Sequence, residues 1–347
     1  MINKNLVLPA EWEPQSAVLI TWPHQHSDWA SVLNEIEPLY QQLASAITRF
    51  QTLIIVAYDD AHEKHIKQLL QDVKVDLSKI IFDIDQTNDT WTRDYGPITL
   101  RKNHKPIIAD FTFNGWGDKF DARLDSALTS KLVEKKLLRP DSTTHYDFVL
   151  EGGSVESDGK GTLLTTSACL LTETRNPQYN QVDIETFLKN AFNVQKILWL
   201  NHGYLAGDDT DSHIDMIARF TDENTIAYVK CDDESDEHFA SLTAMEDQLK
   251  TFTNAVGKAY RLVPLPFPKA VYDSDQGRRL PASYANFLII NGAVLVPVYG
   301  DDQDQAALNT LQECFPGREI IGLNFLAAIR QSGSLHCLTM QLPEGLL

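Results

Sequence analysis

Basic residues are scarce in this chain: 30 Lys and Arg stand against 48 Asp and Glu, for a formal net charge of −18. That balance argues against nucleic acid as a partner, since phosphate binding needs a basic face. Long apolar runs are lacking too, and nothing approaches the roughly 18 consecutive apolar residues of a membrane span. Cysteines are few and far apart (Cys169, Cys231, Cys314 and Cys337), with no Cys-x-x-Cys, so neither a disulfide framework nor a cysteine-built zinc site is suggested. A free reactive thiol stays open. The first residues, Met1-Ile2-Asn3-Lys4-Asn5-Leu6-Val7-Leu8-Pro9, lack the pattern of a secretory leader, and a cytoplasmic protein is expected. No Pro/Gly/Ser linker, composition shift or low-complexity tract divides the chain. With 347 residues, 43% of them hydrophobic, it is expected to form one domain over 1–347.

What the chain does have is an alternation of short apolar strands with helical patterns. Ala17 to Trp22 reads as a buried strand, Ser31 to Phe50 as a helix and Thr52 to Ala57 as the next strand. Further strands are expected at 79–82, 98–101, 107–113, 162–165, 196–200, 214–220, 225–229, 287–290 and 293–298, and helices at 182–191, 236–253 and 303–314. The class is α/β or α+β. The acidic run Asp232 to Glu237 is expected to be a solvated helix start. No repeat of fixed period is visible, so any structural pseudo-symmetry would be hidden from the sequence.

Several polar groups interrupt this pattern. Read as a strand, Ser212 to Phe220 puts His213 and Asp215 on one face, with Ile214, Met216, Ala218 and Phe220 on the other. The same alternation over Leu335 to Thr339 points His336 away from Cys337 and makes it a poor base for that thiol. Trp91-Thr92-Arg93-Asp94-Tyr95-Gly96-Pro97 sets an acid and a base beside aromatics just before a turn. Glu151-Gly152-Gly153-Ser154 puts a carboxylate at the end of the apolar run Phe148-Val149-Leu150. A thiol, an imidazole and carboxylates are the parts for nucleophilic attack on a cationic carbon.

Taken in order, these motifs resemble the agmatine deiminase and Porphyromonas-type peptidylarginine deiminase family of guanidine-modifying enzymes. The resemblance runs from Leu8-Pro9-Ala10-Glu11-Trp12-Glu13-Pro14, through Trp91 to Pro97, Phe113-Asn114-Gly115-Trp116-Gly117, Glu151 to Ser154, Arg175-Asn176-Pro177 and Asp208 to Asp215, to Ser334-Leu335-His336-Cys337. It implies the pentein α/β propeller, with five strand-helix units around a central polar channel and pseudo-five-fold symmetry. It also implies roles. Cys337 is the expected nucleophile, His213 the acid and then the base, and Glu151 its helper. Asp94 and Asp215 are the expected carboxylates holding the guanidinium. Trp91, Trp116, Asp208 and Asp209 are candidates for the chain and ammonium of agmatine, and Asn286 for a place near the thiol.

The implied reaction is hydrolysis of agmatine to N-carbamoylputrescine and ammonia, with a small cationic guanidine as partner and no metal or organic cofactor. A homo-oligomer is compatible with the sequence. Deimination of arginine in peptides keeps the same residues, and free arginine would need a cation for its carboxylate. From another class, Asp208, Asp209, Asp211 and Asp215 have the oxygen donors of a divalent-metal site. The family pattern is departed from at Ser212, at Gln331-Ser332-Gly333-Ser334 and at Val155-Glu156-Ser157, positions that bear on distal substrate contacts.

Overall fold

Runs of β-branched and leucine residues form the central strands of this computed structural model, which describes residues 5–274 and 277–347. Thr52–Ala57 is almost wholly buried because parallel neighbours flank it on both edges, Gln15–Thr21 and Ile80–Ile84. The helix Leu33–Thr48 covers that sheet with Ile36, Leu39, Tyr40, Leu43 and Ile47, an apolar stripe at helical spacing. Among the described residues, no helix is long and apolar enough to cross a membrane.

One unit recurs five times. A first strand pairs antiparallel with a second, and the chain then crosses over through helix to a third strand parallel to the second. Ile98–Lys102, Lys105–Thr112 and Ser142–Val149 form one such unit. Val155–Ser157, Thr162–Thr166 and Lys196–Leu200 form the next, followed by Ala218–Asp222, Thr225–Val229 and Arg261–Leu265. Leu288–Ile290, Ala293–Val298 and Glu319–Asn324 make the fourth. In the remaining unit the first strand is the last in sequence: Met340–Pro343 pairs antiparallel with Gln15–Thr21. The repeat is one of topology with irregular spacing, which is why no fixed period shows in the sequence.

Several expectations need correction. Ser212 to Phe220 is no continuous strand: His213 precedes a 3₁₀ turn, Ile214–Met216, and the strand begins at Ala218. The Asp208 carboxylate takes the N–H groups of Thr210 and Ser212, both at 3.0 Å, and Asp211 and Ser212 have φ of 64° and 67°, so the backbone is already coiled here. Leu335 to Thr339 is likewise turn rather than strand, with the Thr339 N–H on the His336 carbonyl, so alternation does not orient its side chains. The acidic run 232–237 lies in turns, and the helix starts after it, at Phe239–Leu249. A helix with too few apolar residues to signal itself, Asp60–Asp72, is started by the Asp59 side chain accepting from the His62 N–H.

The junctions between units are the functional ground. Asp94 lies just before Ile98, Glu151 before Val155, His213 and Asp215 before Ala218, Asn286 before Leu288 and Cys337 before Met340. Equivalent points of five units thus supply the polar residues. Leu342, fully buried and paired with Ala17, ties the last strand to Gln15–Thr21. Leu342→Ala is expected to cost about 2–5 kcal/mol of unfolding free energy, read by urea denaturation; a loss near zero would show that this strand is not part of the core.

Candidate active site

Each polar residue is fixed by its junction. Asp94 sits on the short helix Thr92–Tyr95, where Arg93 N–H donates to the Cys337 carbonyl at 3.1 Å. The Asp94 carboxylate accepts from Trp116 Nε1 at 2.9 Å and from the Gly153 N–H at 3.0 Å. Arg93 faces the other way, toward Gln341 and Glu11, so this acid and base do not pair with each other.

Asp215 is 1% exposed. Its Oδ2 takes a hydrogen bond from His336 at 2.7 Å and lies 3.8 Å from Cys337 Sγ, while its Oδ1 has no partner. His213 is fully buried with neither ring nitrogen hydrogen-bonded, and Nδ1 lies 3.5 Å from Asp94 Oδ1. Close approach explains Gly153: a Cβ there would stand 2.7 Å from His213 Nδ1, 2.8 Å from Asp94 Oδ1 and 3.1 Å from Asp215 Oδ2. Glu151 accepts Arg175 Nε at 2.8 and 3.0 Å, and the same guanidinium reaches Asp211 and the Thr210 carbonyl. Arg175 therefore braces the His213 loop against the Glu151 junction. The carboxylate of Glu151, the thiol of Cys169 and the ring of His213 lie within 4.8 Å of one another.

A cavity of about 360 Å³ opens onto Cys337 and Asp94 and is walled by Trp91 and Trp116. Asp28, Asp89, Asp209, Arg278, Arg330 and the segment 331–333 line it further out. Asp209 is half-exposed and lines this cavity. Asp208 does not: it is the carboxylate that holds its own loop. Asn286, expected near the thiol, is there but outside the cavity lining. Its Nδ2 is 3.4 Å from Cys337 Sγ and its Oδ1 accepts the His336 N–H at 2.8 Å, so it braces the nucleophile turn.

The metal reading is overturned by the same partners. Asp208 caps a turn, Asp211 is paired with Arg175 and Lys119, and Asp215 with His336. With three of the four aspartates engaged separately, the set does not converge on an ion.

Electrostatics separate the two carboxylates beside the thiol. Burial and the Asp215 charge push Asp94 well above the usual carboxylate range. Asp215 is also buried, which by itself would raise it, yet the hydrogen bond and charge of His336 hold it below its ordinary value. Burial lowers His213 to about 3. Cys337 is pushed well above the ordinary thiol range by burial, then by Asp215 and Asp94. Both shifts favour the neutral forms of the thiol and the imidazole.

The model of Porphyromonas-type peptidyl-arginine deiminases matches residues 7–343. The chain belongs to that family. Its fold is the α/β pentein fold of these deiminases. A Porphyromonas gingivalis structure described as a "putative arginine deiminase" is 47% identical, covers 99% of both chains and superimposes with a TM-score of 0.92. An agmatine deiminase from C. jejuni, a cysteine-to-serine variant with substrate bound, is 39% identical over 99% of this chain and 97% of its own, with a TM-score of 0.90. A Lactococcus lactis relative named "putative agmatine deiminase" is 34% identical, covering 97% of this chain and 95% of its own.

The residues of this deiminase-family chain that sequence reading missed are mostly buried cations and their partners: Arg93, Arg175, Arg219, Glu11 and His336. One signal was available. Arg219 interrupts the apolar strand Ala218–Asp222, and a charge in a run otherwise buried must have a partner. Gly153→Ala is expected to lower kcat/KM by about 100-fold while the protein stays folded, since a shift near 1 Å at reacting groups has that scale; a normal rate would show that the three polar atoms around it are not held for reaction. Because the free thiol is held high, alkylation of Cys337 by iodoacetamide, with Cys337→Ser as the blank, is expected to keep accelerating through pH 9. A plateau already reached at pH 7.5 would overturn that.

Proposed function

We propose that this chain hydrolyses agmatine to N-carbamoylputrescine and ammonia through a covalent intermediate on Cys337, a step of putrescine synthesis. The observation that carries the reading is a cavity that reaches Asp94 and the Cys337 thiol, with Asp215 Oδ2 3.8 Å from that sulfur and with Asp215 Oδ1 and both His213 nitrogens unpartnered among the described residues. Buried polar atoms without partners are costly, and a planar cation rich in N–H groups satisfies Asp215 Oδ1 and the one unprotonated nitrogen of His213.

A guanidinium bound by Asp94 and Asp215 opposes the burial and the carboxylate charge that keep Cys337 protonated, and it draws Asp94 toward its ionised form. The thiol proton then passes to His213, and sulfur attacks the guanidinium carbon. His213 returns that proton to the departing nitrogen, and ammonia leaves behind an S-alkylthiouronium. Water, deprotonated by His213, attacks the same carbon, the C–S bond breaks, and the thiol recovers a proton. The balance is guanidinium plus water giving a urea and ammonium. Glu151 is the carboxylate assisting His213, placed by Arg175. Trp91 and Trp116 flank the methylene chain, and Asp28 and Asp209 meet the distal ammonium. The five junctions meeting at one site support a propeller of pseudo-five-fold symmetry around a polar channel, with residues 1–347 acting as one catalytic domain. A small metabolite as substrate suits a cytoplasmic protein.

A second reading is favoured by Arg278. Its guanidinium lines the same cavity and donates to neutral oxygens, the Arg330 carbonyl at 2.6 Å and Ser332 Oγ at 3.1 Å, with the Gly207 carbonyl at 3.5 Å. Arginine, free or at a peptide terminus, would bring it a carboxylate. Ammonia release from agmatine, free arginine and a blocked arginyl peptide, each against Cys337→Ala, decides. Release from agmatine alone is the expected result. Release mainly from arginine, lost in Arg278→Ala, would move the protein to the second reading, and silence on all three would overturn deimination itself.

A further inference from the structure

One buried imidazole beside the nucleophile has no part in the chemistry above. His336 is 1% exposed, with Nδ1 2.7 Å from Asp215 Oδ2 and Nε2 2.7 Å from Glu11 Oε2. If Glu11 and Asp215 are both ionised they only accept hydrogen bonds, so a ring that spans the two donates from both nitrogens, and a ring with two N–H groups is an imidazolium. We propose that His336 is a positioning residue: a standing imidazolium that keeps Asp215 ionised, engages its Oδ2 and leaves Oδ1 for the guanidinium, with Glu11 as the counter-charge behind the ring. This holds only if Asp215 is a guanidinium ligand, as the proposed function has it.

The surroundings bear on both ends of the relay. Arg219 lies 2.9 Å and Arg93 3.7 Å from Glu11 Oε2, and Arg219 pairs in turn with Glu156 at 2.9 Å. Burial would raise Glu11, but Arg219, His336 and Arg93 hold it far below the usual range, so it is an anion and acceptor throughout. A small cavity of about 60 Å³ on this side is lined by Glu11, Arg93, Glu156 and His336. On the other side Asp215 faces Cys337, Asp94 and His213. Asp94 has no cation partner among the described residues and is driven toward its neutral acid by burial. Asp215 differs from Asp94 in the ring that it holds. Without that ring the site would present two neutral acids to a cation.

The sign of the pH effect follows. A carboxylate held low binds its cation down to low pH; once its pKa rises, binding is lost from the acid side first. His336→Asn keeps an N–H donor near the Nδ1 position but removes the charge, and Glu11 retains Arg219 and Arg93. The acid limb of kcat/KM is expected to move up by about one pH unit, which is about tenfold at pH below the limb. The defect should lie mainly in KM and fade toward pH 9. Glu11→Gln should shift the limb the same way by less. A loss equal at all pH values, or no loss, would reduce His336 to packing and overturn the proposal. Independently of turnover, ¹⁵N-imidazole NMR of the wild-type protein should show both His336 nitrogens protonated at pH 7.5, with the ring assigned by its response to Glu11→Gln. A neutral tautomer would also overturn it. Wild-type protein inactive on every guanidine, yet with a doubly protonated ring, would instead sink the deiminase reading and with it the role given to Asp215, leaving only the charge state.

Discussion

Burying charge without leaving it unpaired is the constraint on which the rest of the structure depends. Glu11, Glu151, Glu156, Asp94 and Asp215 are all almost completely removed from water, as are Arg93, Arg175, Arg219 and His336. A carboxylate so placed either finds a cation or takes up a proton. Arg175 answers Glu151, Arg219 answers Glu11 and Glu156, and His336 answers Asp215. Asp94 takes the indole of Trp116 and a backbone N–H and, with His213 held neutral, meets no cation among the described residues. That shortfall sits beside the thiol, where the proposed function sets a cationic substrate.

The scheme also explains which residues can be read from sequence. Cys337, His213, Asp94 and Glu151 stand in short polar motifs next to glycine or aromatic residues, and each motif lies at a junction where the chain must turn. Local composition was enough to single them out, while their roles followed from the family resemblance. Glu11 and His336 lie within motifs that give them no role, because the two meet across 325 residues of chain. Strand parity has no hold on His336, since the Cys337 segment is a turn whose His336 and Cys337 N–H groups donate to Asn286 Oδ1; its ring engages Asp215 and Glu11 and not the thiol.

The fold was legible to a similar degree and for similar reasons. Strands buried on both faces, such as Thr52–Ala57 and Ala293–Val298, announce themselves by unbroken apolar runs. Strands with exposed or alternating faces, such as Glu319–Asn324 and Ser142–Val149, do not, and neither does the charged helix Asp60–Asp72. The five-fold recurrence of one topology stayed hidden because junction and crossover lengths vary while only the order of pairing repeats.

The seam between Met340–Pro343 and Gln15–Thr21 joins segments from opposite ends of the described chain, and the nucleophile stands immediately before it. Pairings so distant in sequence close late, because loop entropy must be met before the contact gives anything back. The newly made chain therefore carries its reactive sulfur outside any assembled site until its farthest contact forms. The converse holds on heating: fraying of this one short strand would disarm the protein while the other four units remain folded, so inactivation would precede melting.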